Sequence, residues 1–334
     1  MTDASPAMST DTIKDAGTAI DPAMGTDHLP GRNVIDPAEL KRLSERSDGP
    51  GLRRLAGHAA VILATGWLLS EAYAFGGIVI LPALVLHGFA LVTLFAATHE
   101  AGHATAFKSA WIGKAVAWTC GVITLNNGDF YRRFHHWHHR FTQIPGKDPE
   151  LVRPKPKNWA EYLHRLVGLY YYKDRLTESF KVALYRFDHP YIPERAKPRL
   201  AWSARAQFGA YAAIAIAAVA LGSWAPVTYW LLPMMFGQPV LRAILLSEHT
   251  GCTEDSNGLT NTRTTYASWP VRFLMWNMPY HAEHHLHPAV PFHRLPELHQ
   301  LIKERLAHIS PSYPAAQQEI VATFDNRAAH RPAE

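Results

Sequence analysis

The sequence predicts an all-α integral membrane protein, with four transmembrane helices in two hairpins and a histidine-rich cap on the cytoplasmic side. Three observations lead there. Four apolar runs reach the length that crosses a bilayer, and they come in two pairs with almost nothing between the partners. Three histidine clusters with helical ligand spacing lie where that topology puts them on one side of the membrane. The basic residues are gathered between the two hairpins.

Taken in order, residues 1–50 are rich in Asp, Thr, Ser, Pro and Gly and lack an apolar run, so they are expected to form a disordered tail. They also lack the apolar core of a signal peptide. A membrane domain is expected over 51–310. Its first two spans are 55–75, with Glu71 near the end, and 78–97, with His87 inside. The second hairpin is 206–224 and 227–246, turning at Ala225-Pro226. Buried hairpins of a soluble protein fit less well, because all four runs reach spanning length.

Of the 33 Lys and Arg, 18 lie between Lys108 and Arg205, and the hairpin turns carry none. Cationic loops stay on the cytoplasmic side, so both termini and the long middle segment belong there. Arg53 and Arg54, just before the first span, agree. Ser109–Leu125 is apolar but short and carries Lys114, which suits an interfacial or re-entrant helix better than a fifth crossing. Tyr131–Pro198 is polar, basic, aromatic and broken by prolines. Leu295–Leu306 places Leu298, Leu301, Ile302 and Leu306 at the spacing of a short amphipathic helix. Residues 311–334 read as a loose tail.

Composition excludes several classes. Two cysteines, Cys120 and Cys252, rule out a disulfide scaffold and any C-x-x-C site. A net charge of +5 suits an anionic bilayer surface or an acidic partner and does not imply nucleic acid.

The chemistry sits in the histidines. His135, His138 and His139 fall on one helical stripe, with His136 pointing away. His281, His284 and His285 repeat the H-x-x-H-H spacing, and His99 and His103 form an i, i+4 pair. Neutral imidazole is the commonest nitrogen ligand of transition metals, so three such clusters argue against an exposed histidine run. The first cluster also spells H-E-x-x-H, the signature of zinc proteases that use the glutamate as general base. One tetrahedral zinc leaves six histidines without a role. Eight box histidines are about right for two metal ions.

With its three boxes in this order, spacing and placement relative to the four spans, the chain resembles the membrane fatty-acid desaturase and hydroxylase superfamily over roughly Leu55 to Ile309. The surroundings of the third box, from Asn277-Met-Pro-Tyr to Pro288, resemble the family pattern as well. The resemblance implies two non-haem iron ions, O2 as co-substrate, and an acyl or related lipid chain as substrate within the bilayer. It implies a ninth ligand between boxes two and three, and His249 matches that position. The other reading of His249 is a helix-end histidine satisfied by backbone. Asn277, Glu100 and Glu283 are candidates to support the ligands through hydrogen bonds; the two glutamates read equally as solvated helix charges. Arg242, inside the fourth span, is either a substrate-binding residue or a side chain reaching to the interface. The chain lacks a His-Pro-Gly-Gly haem signature, a rubredoxin-like cysteine set and a G-x-G-x-x-G site. Electrons are therefore expected from a separate ferredoxin or cytochrome b5 type carrier and its NAD(P)H reductase. Desaturation is the expected reaction, hydroxylation or ketolation of a lipid or carotenoid the runner-up. A small amino-acid-derived substrate stays open, and an intramembrane zinc protease is the rival from another class.

Overall fold

The computed structural model describes residues 33–328. Among them, four helices are long and apolar enough to cross a membrane: Asp48–Phe75, Gly77–Gly102, Glu194–Ala220 and Val227–His249. They carry large exposed apolar side chains such as Leu63, Phe75, Ile78, Ile216 and Val219, a surface that suits lipid and not water. Except for one two-stranded pairing, the rest is helix and loop, so the all-α membrane fold holds.

A short helix, α1 (Pro37–Leu43), opens the described chain and is capped by Asp36, whose carboxylate accepts from Ala38 N at 2.8 Å. The first span is α2 (Asp48–Phe75), which ends at Gly76 with a φ of 80°. The second is α3 (Ile80–Val92) continued by α4 (Leu94–Gly102), with Thr93 at the junction bonding back to Phe89 O at 2.7 Å. Next come α5 (Ala110–Ile123) and α6 (Gly128–Phe141), the latter capped by Asn127. With 14 residues α5 is about 21 Å long, too short to cross. Helices α7 (Trp159–Val167) and α8 (Leu169–Ala183) follow, then the third span α9 (Lys197–Ala220). A π-helical turn, Val227–Leu231, leads into the fourth span α10 (Leu232–His249). The chain closes with α11 (Trp269–Leu274), α12 (His281–Leu286), α13 (Leu295–Ile302) and α14 (Tyr313–Ala328). Strand β1 (Thr264–Thr265) pairs in parallel with β2 (Ile309–Ser310).

The central contact is the crossing of α3 with α10. A Cβ on Gly88 would sit 1.8 Å from Pro233 O, and one on Gly237 would sit 2.1 Å from the Gly88 carbonyl carbon. Without side chains there, the two backbones touch, which is how helices associate in a solvent as apolar as themselves. Two histidines within the first hairpin are paired: His58 with Ala90 O at 2.8 Å, and His87 with Thr65 at 2.9 Å and Tyr229 O at 3.0 Å.

The structure differs from the expectation at both ends. Residues 33–50, assigned to a disordered tail, hold α1 and the start of α2. Leu43 is fully buried with Tyr280, Leu286, Leu295 and Leu298, so α1 covers the helix of the third box. Residues 1–32 of that expected tail lie outside the described residues. Beyond residue 310, α14 buries Ala316, Ile320 and Phe324 on one face, and Gln317 ties it to Ala243 O at 2.8 Å. Both stripes are too short and too diluted by polar neighbours to stand out in composition. Residues 329–334 lie outside the described residues. The amphipathic helix after box three is α13; Leu298, Ile302 and Leu306 are buried as expected, whereas Leu301 is exposed.

Candidate metal centre

The three boxes and His249 converge. His99 and His103 end the second span on α4, His135, His138 and His139 ride α6, His249 closes α10, and α12 carries the third box. Chain reversal before α12 is made by Trp276 and Asn277, two buried non-glycine residues at φ 50° and 60°. Left-handed backbone at such residues is costly and persists only where its surroundings hold it. Here Asn277 Nδ2 donates to Phe292 O at 2.9 Å. Asn277 thus pins the loop after the third box.

One ligand nitrogen each from His99, His103, His135, His139 and His284 lies within 4.8 Å of all the others. His138, His249 and His285 form a second such group. His281 adjoins it, with its Nε2 3.2 Å from His249 Nε2. The ring pairs are close, His99–His135 at 4.2 Å and His139–His285 at 4.0 Å between centroids.

These residues fit a pair of metal ions on two grounds. The first is tautomer control. His99 donates Nδ1–H to Glu100 Oε1 at 2.9 Å, His138 to Asp148 Oδ1 at 2.9 Å, His285 to Thr142 Oγ1 at 3.1 Å, and His249 to Asn261 O at 3.2 Å. Each bond leaves Nε2 as a lone-pair donor, the arrangement metal-bound imidazoles show. The second is the state of the nitrogens that remain. His99 Nε2 and His285 Nε2 are buried without a hydrogen-bond partner. Other pairs point nitrogen at nitrogen, His139 at His135 at 2.9 Å and His284 at His103 at 3.1 Å. Burial, then the neighbouring imidazoles, holds His135, His139, His281 and His285 well below the usual imidazole range. They are therefore neutral and crowded around the two points where cations would satisfy them.

His138 is the exception. Burial pulls it down, but Asp148 and then Glu150 outweigh that and push it up to about 9. Burial alone would raise Asp148; the His138 charge, with bonds from His138 and from the backbone N–H of Gln143 and Glu150, holds it below the usual carboxylate range.

The supporting residues differ from expectation in part. Glu100 is fully buried and hydrogen-bonded to His99, so it is not a solvated helix charge. Glu283 is buried too, but it bonds to His299 and Thr264 and not to a box histidine. It ties α12 to α13 and β1. The Arg242 guanidinium stacks on Tyr171, 4.1 Å from the ring centre. Sequence reasoning missed Asp148, Glu150, Thr142 and Asn261. A carboxylate ten residues after a box histidine carries no periodic signal; only the turn after α6 brings it back. His136, off the stripe as expected, bonds to Gly102 O at 3.2 Å.

A family model described as fatty acid desaturase matches residues 55–316. The sn-1 oleoyl-lipid 12-desaturase of a Picosynechococcus species is 22% identical over 244 residues, covering 67% of this chain and 69% of that protein. The sphingolipid delta(4)-desaturase DES1 of Drosophila melanogaster is 25% identical over 280 residues, covering 72% and 68%. A DES1-like sphingolipid delta(4)-desaturase of Arabidopsis thaliana is 24% identical over 254 residues, covering 74% and 66%.

Proposed function

This chain belongs to the fatty acid desaturase family, and we propose that it is an O2-dependent di-iron desaturase that introduces a C=C bond into an acyl or related lipid chain. The balance is a CH2–CH2 pair, O2, two electrons and two protons giving CH=CH and two waters. Two irons, when bound, would activate O2, the oxidant that an unactivated C–H bond requires. The nine histidines His99, His103, His135, His138, His139, His249, His281, His284 and His285 would hold them, in groups around the two clusters described above. Glu100, Asp148, Thr142 and the Asn261 carbonyl keep four imidazoles in the ligating tautomer. The electrons come from a separate ferredoxin or cytochrome b5 type carrier, which the basic segment between the hairpins suits. The active site and both termini face the cytoplasm, on the charge distribution given above.

The observation that carries this reading is the convergence of eight imidazoles in two groups, with His281 beside the second, all of them buried except the half-buried His103. The zinc-protease alternative is disfavoured by Glu100, which turns back to His99 Nδ1 and would not face a metal-bound water as a general base must. Metal analysis and lipid mass spectrometry test the proposal together. Two irons per chain, and a lipid lacking two hydrogens only when O2 and the gene are both present, are expected. One zinc per chain and peptide cleavage without O2 would overturn it. A product gaining one oxygen instead would move the reading to a hydroxylase, since both reactions begin with the same hydrogen abstraction.

A further inference from the structure

Arg242 stands out among the groups that metal binding does not use. Its Nε and Nη2 are both buried and neither has a hydrogen-bond partner among the described residues. These two nitrogens share one edge of the guanidinium, the edge that grips two oxygens of a carboxylate or phosphate side by side. The plane of the fork is held: one face lies on Tyr171 at 4.1 Å, and Arg175 covers the same ring at 5.2 Å. The stem is held as well. The turn at Gly168 packs so tightly on α10 that a Cβ there would lie 3.0 Å from Arg242 Cγ. A clamped arginine with an open, dry edge is a preformed oxyanion grip.

Two carboxylates connect this grip to the metal centre. Glu150 and Glu248 are both within electrostatic range of Arg242, yet neither occupies its open edge. Glu150 Oε2 lies 3.8 Å from His138 Nε2, and Glu248 Oε2 lies 3.5 Å from His281 Nε2. Glu150 is 38% exposed, so this polar corner opens toward solvent, while Glu248 Oε1 is buried without a partner. Polar groups thus begin beside metal-facing nitrogens. Arg242 lies only seven residues before His249, about 10 Å along α10. A slot for the middle of a long hydrocarbon would present apolar walls here.

We propose that the Nε/Nη2 edge of Arg242 docks the oxyanion head of the substrate, a carboxylate or a phosphate, and that the oxidised carbon lies within about 10 Å of that head. The word substrate rests on the desaturase reading; the docking point does not.

The test is binding of octanoate, octyl phosphate and neutral octanamide to the full-length protein in nanodiscs, with wild type and Arg242→Lys. Lysine keeps the charge and loses the fork. Expected are saturable binding of octanoate or octyl phosphate, at least tenfold tighter than octanamide, and a loss of about ten- to a hundredfold for that anion in Arg242→Lys. Whichever of the two anions binds tighter identifies the head. Equal affinity of wild type and folded Arg242→Lys, or of anion and amide in wild type, overturns the proposal; the second comparison decides it even if the variant fails to fold. Iron is assayed in the same preparation. A protein that binds the anion through Arg242 but takes up no iron would sink the oxidase reading and leave the docking point standing.

Discussion

Replacing Asp148 by asparagine separates two effects that this carboxylate has on His138. The Asp148 charge helps hold a proton on His138 up to about pH 9 in the metal-free protein, and a metal ion must displace that proton. Below a pKa near 9, affinity of the site therefore rises with pH, about tenfold per unit. At pH 7 the competition amounts to two units, on the order of 100-fold or about 2.7 kcal/mol. Above pH 9 the competition is gone, and what remains is the benefit of the Nδ1–H bond at 2.9 Å, which sets the tautomer and raises ligand basicity. Asparagine keeps a carbonyl acceptor but not the charge, so the weakened bond should cost about tenfold in metal affinity, the low end for a change in such a partner. In Asp148→Asn, the slope between pH 7 and 9 should flatten, since only Glu150 still favours the proton. The variant should bind more weakly than wild type at pH 9, and the two curves should approach each other toward pH 7. Competition titrations of Co2+ against a chelator, followed by the absorbance of the bound ion, measure this directly. A wild-type affinity that is flat from pH 7 to 9, or two curves that stay parallel, would refute the reasoning.

Three further outcomes are expected. His249→Ala should abolish turnover and lower metal content toward one ion per chain with the spans intact, whereas His136→Ala, which gives up a bond to Gly102 O and a stack on the His103 ring, should keep both ions and lose about 1 kcal/mol of stability; two ions and normal turnover in His249→Ala would remove it from the ligand set. Gly88→Ala meets backbone that cannot yield and should cost on the order of 1–3 kcal/mol or more in thermal unfolding, while Gly209→Ala, with nothing within 4 Å of the new Cβ, should be neutral or slightly stabilising. Single cysteines at Lys157 and Glu254 should label from the cytoplasm, and cysteines at Gly76 and Ala225 from the other side; external labelling at 157 would exclude the proposed orientation.

The sequence by itself determined what is periodic. Four apolar runs announce four spans because bilayer thickness sets their length, and the boxes announce ligands because three- and four-residue spacings fall on one helical face. Those two patterns together already imply that α5 stays on one side, since otherwise box two could not meet boxes one and three. Tertiary structure alone decided everything that depends on pairing across the chain. Asp148 reaches His138 through a turn, Asn261 O reaches His249 through a loop, and Glu283, whose box position suggested a ligand partner, turns instead to His299. Residues 33–50 and α14 looked loose because each has only a few apolar residues; their burial depends on surfaces that other segments provide. Arg242 illustrates the same limit. A charge in a span reads alike whether it reaches for the interface or lies clamped in the protein. Only the packing of Tyr171 and Gly168 against it shows what holds the side chain, because a guanidinium's environment is set by neighbours some seventy residues away and not by its own helix.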